Sequence, residues 1–175
     1  MFRIKFAWVI VLLLPLGLNC PAKGLGTFAD TLDNKNLVTL DVGGPAGYWA
    51  IGYERTIAKQ QSWRMFSSLA ASFWNFEDYN GNLNPNLSVP FGIGALYGGS
   101  SHKLEMVLSN TLYSIAAAEG RVEEGRKFGM NGNLHIGYRY CMLHTRWNIR
   151  VYYLGVLVSY EHFVNYGGLG IGFSF

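Results

Sequence analysis

From Asn36 to the end of the chain, hydrophobic residues recur at every second position. The last run is the clearest: Leu169, Ile171, Phe173 and Phe175 alternate with Gly168, Gly170, Gly172 and Ser174. Successive side chains of an extended strand point to opposite faces, so one face of this segment is large and apolar and the other almost bare. The same alternation sets Trp49, Ile51 and Tyr53 against Ala50, Gly52 and Glu54, and Val89, Phe91, Ile93 and Ala95 against Ser88, Gly92 and Gly94. Leu104, Met106 and Leu108 oppose Lys103, Glu105 and Ser109. Met130, Leu134, Ile136 and Tyr138 oppose Asn131, Asn133, His135, Gly137 and Arg139. Trp147, Ile149, Val151 and Tyr153 oppose Asn148 and Arg150, and two less regular stretches, 37–43 and 62–75, bring the number of strands to eight. Residues 113–127 hold three consecutive alanines and six charges but no sustained apolar stripe, so they read as a loop.

The connections alternate in length. With both ends of the strand region on one side, the connections on that side (58–61, 98–101 and 142–145) are all short. On the other side 44–47 is short, while 76–86, 116–127 and 159–165 are long. Short turns at one rim and longer loops at the other characterise bacterial outer-membrane barrels. The expected fold is therefore all-β, an eight-stranded antiparallel up-and-down transmembrane β-barrel over residues 36–175. A lipid-spanning sheet must close, because an open edge leaves backbone groups unsatisfied in hydrocarbon.

Composition decides which face meets which solvent. Only 14% of the 175 residues are charged against 50% hydrophobic and 15% aromatic. That is too few charges for a water-facing exterior, which carries roughly 25–35%, and too hydrophobic for a disordered chain. The small face, built of glycine, serine and asparagine with scattered charges, suits the interior of an eight-stranded barrel, which is just wide enough for side chains. Asp41, Glu54, Arg64, Lys103, Glu105, Asn131, His135, Arg139 and Arg150 fall on that face and form the expected lumenal polar network. Its acids and bases should pair, because an unpaired buried charge costs several kcal/mol. The apolar face then meets lipid, with Trp49, Trp63, Trp147, Tyr97, Tyr138 and Tyr153 available for the interfacial girdles. A soluble ligand-binding barrel, with the two faces exchanged, is the alternative.

The N-terminus reads as an address. Arg3 and Lys5 precede 13 uncharged residues, 6–18, fewer than the about 20 of a spanning helix but suited to a secretory signal. Cys20-Pro21-Ala22 offers small residues for cleavage before Lys23, giving a signal peptide over 1–22, an N-terminal periplasmic segment over 23–35 and the barrel over 36–175. An uncleaved anchor and lipidation at Cys20 are the alternatives. Cleavage leaves Cys141 as the single cysteine, so no intramolecular disulfide forms. It also leaves 12 basic against 11 acidic residues, without the excess that a nucleic acid partner demands.

Several short motifs carry a resemblance: Val42-Gly43-Gly44-Pro45-Ala46-Gly47, Tyr53-Glu54-Arg55, His102-Lys103-Leu104-Glu105, Gly137-Tyr138-Arg139-Tyr140 and the terminal Gly170-Ile171-Gly172-Phe173-Ser174-Phe175. In these the chain resembles the small eight-stranded outer-membrane β-barrel proteins of bacteria, especially the Bacteroidetes-type family. The resemblance implies outer-membrane lipid and lipopolysaccharide as surroundings and the barrel assembly machinery as a partner. Leu169, Ile171, Phe173 and Phe175 would form the signal that the machinery reads. It implies no activity common to the group.

The leading role is structural or surface-exposed, with partner or ligand contact through the long connections. Enzymatic barrels resembling this one modify lipid A by acyl hydrolysis or transfer, and such chemistry needs a serine, a histidine and a carboxylate within reach of one another. Ser68, His135 and Asp41, or Glu105 as the acid, fall on the polar face and define that runner-up reading. No metal or other cofactor is expected: His102 and Glu105 lie at odd spacing along a strand and face opposite sides. The glycine-rich end precedes no helix and so cradles no phosphate.

Overall fold

The alternating segments form eight strands: β1 (Asn36–Gly43), β2 (Trp49–Gln60), β3 (Trp63–Glu77), β4 (Leu83–Gly98), β5 (His102–Ile115), β6 (Lys127–Cys141), β7 (Trp147–Val158) and β8 (Asn165–Ser174). The structure, a computed structural model, describes residues 35–77, 83–115, 126–158 and 165–175. The export segment 1–22 with Cys20, most of the 23–35 segment, residues 116–125 and His162 lie outside the described residues. Each strand pairs antiparallel with the next, and β8 returns to β1, closing the barrel. That closing register sets Val38 beside Phe173, Leu40 beside Ile171 and Val42 beside Leu169. The last apolar row of the chain thus lies against the first.

The lumenal charge cluster and the alternating apolar rows lie on opposite faces. Leu169 is 61% exposed, Leu108 59% and Ile136 57%, all pointing outward, whereas Arg139 and Glu105 are each 2% exposed on the inner side. Inside, Phe66, Leu96 and Val107 pack into a small apolar patch. Gly94 faces it so closely that a Cβ there would overlap the Phe66 ring and a Val107 methyl. Outside, aromatic pairs mark both rims. Trp63 and Tyr97 (centroids 4.7 Å apart) and Trp147 and Phe173 (5.1 Å) stand at the rim that carries the short turns and the strand-region ends. Trp49 and Phe73 (4.8 Å) stand at the other, where Trp74, on the inward side of β3, meets Tyr48 of the β1–β2 connection (5.8 Å).

Two connections differ from the expectation. The 58–61 turn shrinks to Gln61 and Ser62, because β2 continues past a bulge between Thr56 and Ala58 and pairs Gln60 with Trp63. The 76–86 loop is largely strand: Phe76 pairs with Asn84 and Asn75 with Pro85, leaving 78–82 between β3 and β4. Its Asn and Pro residues imitate a turn, yet Asn86 and Ser88 face inward and are buried, so the two-residue alternation runs on through them. A second proline leaves its mark within β4. Pairing with β3 stops at Leu69↔Phe91 and resumes in the same register at Ser72↔Ser88. Pro90, which has no N–H to donate, stands in the gap.

Neighbouring substitutions on the two faces of β4 test this arrangement. Gly94→Leu should destabilise the barrel by about 1–3 kcal/mol through overpacking, whereas Ala95→Leu, pointing outward, should stay within about 0.5 kcal/mol of the parent. Urea unfolding of the refolded variants measures both, and equal costs would contradict the inward–outward assignment.

Candidate functional site

Inward positions on five strands converge in one charge cluster: Asp41 on β1, Glu54 on β2, Glu105 on β5, His135 and Arg139 on β6, and Arg150 on β7. Arg139 spans two acids. Its Nε donates to Glu105 Oε2 at 2.7 Å, while Nη1 and Nη2 donate to Glu54 Oε2 and Oε1 at 2.8 and 3.1 Å. Arg150 holds Asp41 in a fork, Nε to Oδ1 at 2.8 Å and Nη2 to Oδ2 at 2.5 Å, and its Nη1 reaches Glu54 and Glu105. The planar guanidinium suits this task, since one Arg can satisfy two carboxylates with fixed geometry. Arg139 also lies over the Phe66 ring, 5.4 Å from its centroid, and Arg150 over Tyr152 at 5.6 Å. The other members of the expected network are inward as well. Arg64 and Lys103 are buried, with the Lys103 ammonium donating to the Gly99 carbonyl at 2.7 Å, and Asn131 is half-buried beside Asn133.

Above this cluster the β1–β2 connection folds back into the barrel. The Ser88 hydroxyl on β4 donates to the Ala46 carbonyl at 2.8 Å, and the Thr111 hydroxyl on β5 donates to the Pro45 carbonyl at 3.1 Å. Asn133 Nδ2 donates in turn to Thr111 Oγ1 at 2.9 Å, which orients that hydroxyl toward the strap. The connection therefore reaches across the lumen to the far strands. Gly43, Gly44 and Gly47 take positive φ (76°, 85° and 98°), and a Cβ on Gly44 would meet the buried Tyr152 ring. Ala46, 2% exposed, lies inside the mouth.

Ser68, His135 and Asp41 all border one lumenal cavity, yet they do not form a relay. Asp41 is taken by Arg150. His135 Nε2 is 3.1 Å from Glu105 Oε1, an acceptor, which places the ring proton on Nε2; Nδ1 is buried and bonds to no serine. Ser109 Oγ borders the same cavity and is likewise unbonded. The cavity measures about 50 Å³. That admits a few waters but falls far short of the about 300–1,000 Å³ of small-molecule sites, so no acyl chain reaches His135. His102 points outward to the Tyr138 hydroxyl and Glu105 inward, so the two share no site. Among the described residues, no group of three His, Cys, Asp or Glu is placed to hold a metal ion.

With this geometry defined, the chain is similar in fold to two solved outer-membrane proteins. It matches the N-terminal β-barrel domain of Pseudomonas aeruginosa OprF with a TM-score of 0.52 at 14% identity, covering 81% of this chain and 98% of that one. It matches Yersinia pestis Ail with a TM-score of 0.50 at 14% identity, covering 82% and 100%. No protein-family model and no curated protein matches the chain. The chain thus shares the closed eight-stranded antiparallel barrel fold of these two proteins.

Sequence reasoning missed the strap and its anchors Ser88, Thr111 and Tyr152. The one available signal was Gly43-Gly44-Pro45-Ala46-Gly47, too rich in small and left-handed residues for a plain hairpin turn. Arg139→Met should destabilise the barrel by about 3–5 kcal/mol, because Glu105 loses its closest donor and Glu54 loses two of its charged hydrogen bonds. Adding Glu105→Gln should recover part of that loss, since Glu54 keeps Arg150. Equilibrium unfolding of the single and double variants decides it, and an additive double variant would refute the shared cluster.

Proposed function

We propose that this protein is an integral β-barrel of a bacterial outer membrane with a structural or surface-exposed role. Residues 1–22 serve as its cleaved export signal, and its lumen is filled and closed to solutes. The single observation that carries the reading is the partition of side chains: bulky apolar groups ring the outside and the ion-pair cluster occupies the axis. No soluble barrel places Leu108, Ile136 and Leu169 in water while enclosing Arg139 and Glu105. The fold match to Ail, whose backbone structure was obtained in a phospholipid bilayer nanodisc, supports the same surroundings. The terminal row Leu169, Ile171, Phe173 and Phe175 is outward and exposed, accessible to an assembly machinery during insertion. Kinship with Bacteroidetes-type barrels rests on the short motifs quoted above. The 116–127 and 159–165 connections, on the rim opposite the start of β1 and the end of β8, would meet lipopolysaccharide or an external partner.

Fractionation tests the reading directly. The protein should leave membranes only with detergent and should migrate faster unboiled than boiled. Aqueous recovery without detergent, with no heat-dependent shift, would overturn the proposal. In lipid vesicles Leu108→Arg, at mid-strand on the outer face, should cost about 2–4 kcal/mol. A negligible cost would mean that water, not hydrocarbon, meets that face.

A further inference from the structure

We propose that the β1–β2 connection, residues 44–48, is a lid. It swings as one piece off β4 and β5 and opens the lumenal cavity to small polar solutes at the rim of the long connections, while the ion cluster beneath keeps the bore shut. The cavity is bounded in a way that suits this. Pro45 and Ala46 of the strap line it, as do Ser68, Ser109 and His135 of the wall, and Asp41, Glu54 and Arg150 of the cluster border it as well. Ser109 stands one inward position beneath Thr111, which holds the strap. Lifting the strap therefore exposes a blind vestibule and not a through passage.

The strap is built to move as a unit. Pairing of β1 with β2 ends at Val42↔Trp49, so residues 44–48 lie beyond that ladder. The Gly43 amide donates to the Tyr48 carbonyl at 2.8 Å and the Gly47 amide to the Gly44 carbonyl at 3.0 Å, which ties the base and the turn of the strap within the connection itself. Neither bond has to break when the strap leaves the lumen. Positive φ at Gly43 and Gly44 on one side and at Gly47 on the other places the most permissive backbone around Pro45 and Ala46. The fastenings differ in kind from the cluster below. Ser88 and Thr111 donate neutral hydroxyl-to-carbonyl bonds, each weaker than the charge-assisted pairs of the arginines. Beside them Tyr48 packs edge-on against Trp74, and Gly44 lies against the Tyr152 ring.

Gly47 isolates the hinge from the fastenings. A Cβ there would meet Trp74 at 3.6 Å, an ordinary van der Waals contact, so alanine fits the space. The φ of 98° is what an alanine resists. Gly47→Ala therefore penalises the seated strap while leaving both hydroxyl bonds in place.

Thiol labelling with a small methanethiosulfonate tests the lid. Ser109→Cys places a thiol on the cavity wall, and the native Cys141, 1% exposed at the short-turn end of β6, reports general loosening of the same molecule. In the folded barrel, position 109 should be modified slowly, through the open fraction. Adding Ser88→Ala/Thr111→Val should speed that modification about tenfold or more, the effect of two lost neutral hydrogen bonds. Adding Gly47→Ala instead should speed it about fivefold or more. Cys141 should keep its parental rate in both, with peptide mapping separating the two sites and heat-dependent mobility reporting the folded barrel. An unchanged rate at position 109 in either folded variant would overturn the lid, and so would a parallel acceleration at Cys141. Full reactivity of position 109 before any strap substitution would mean that the strap does not close the cavity, and would overturn it too. Should the Ser88→Ala/Thr111→Val pair prevent folding, Gly47→Ala alone decides.

Discussion

The pairing of β8 with β1 is the constraint from which the rest of this molecule follows. It leaves the sheet no free edge, so every strand can stand in hydrocarbon with its backbone satisfied. It also fixes the number of strands around the axis at eight, and with it a lumen that only side chains can fill. Glycine, serine and alanine dominate the inner face because little else fits, and the bulky residues are driven outward. Where large rings do point in, glycines make room: Gly94 faces Phe66, and Gly44 and Gly168 face Tyr152.

So narrow an interior could have been wholly apolar. It is instead tied by an ion network that joins β1, β2, β5, β6 and β7, strands that are not all neighbours. A buried ion pair adds little net stability over a hydrophobic substitute, but it tolerates only one arrangement of its partners. A shift of any one of these strands by one residue would move its charge from the axis into lipid. The network therefore acts on register. The same crowding holds His135 Nε2 against Glu105 and leaves its Nδ1 without a serine partner.

Most of the fold was legible in the chain because one physical rule, alternation across a pleated strand, governs almost every residue of a barrel wall. Leu169 to Phe175 display it without exception, and the inward set from Asp41 to Arg150 follows from counting in twos. The pairing of Arg139 with Glu54, 85 positions apart in the chain, did not follow, because alternation assigns a face and says nothing of height along the axis. The 76–86 segment was misread for a related reason. Asn and Pro signal turns through local preference, and here cross-strand pairing overrides it. The β1–β2 strap escaped because its role depends on contacts with β4 and β5, which no local pattern encodes.

That strap has a consequence for how such a surface can diversify. The mouth of the lumen is covered by a handful of residues belonging to a tight connection between adjacent strands, fastened by two hydroxyl groups from the far wall. The strap does this with five residues, 44–48, while two longer connections, 116–126 and 159–164, leave from the same rim. A change of sequence or length in those two connections would leave the Ser88 and Thr111 fastenings of the strap in place, because the seal is written into a different part of the chain.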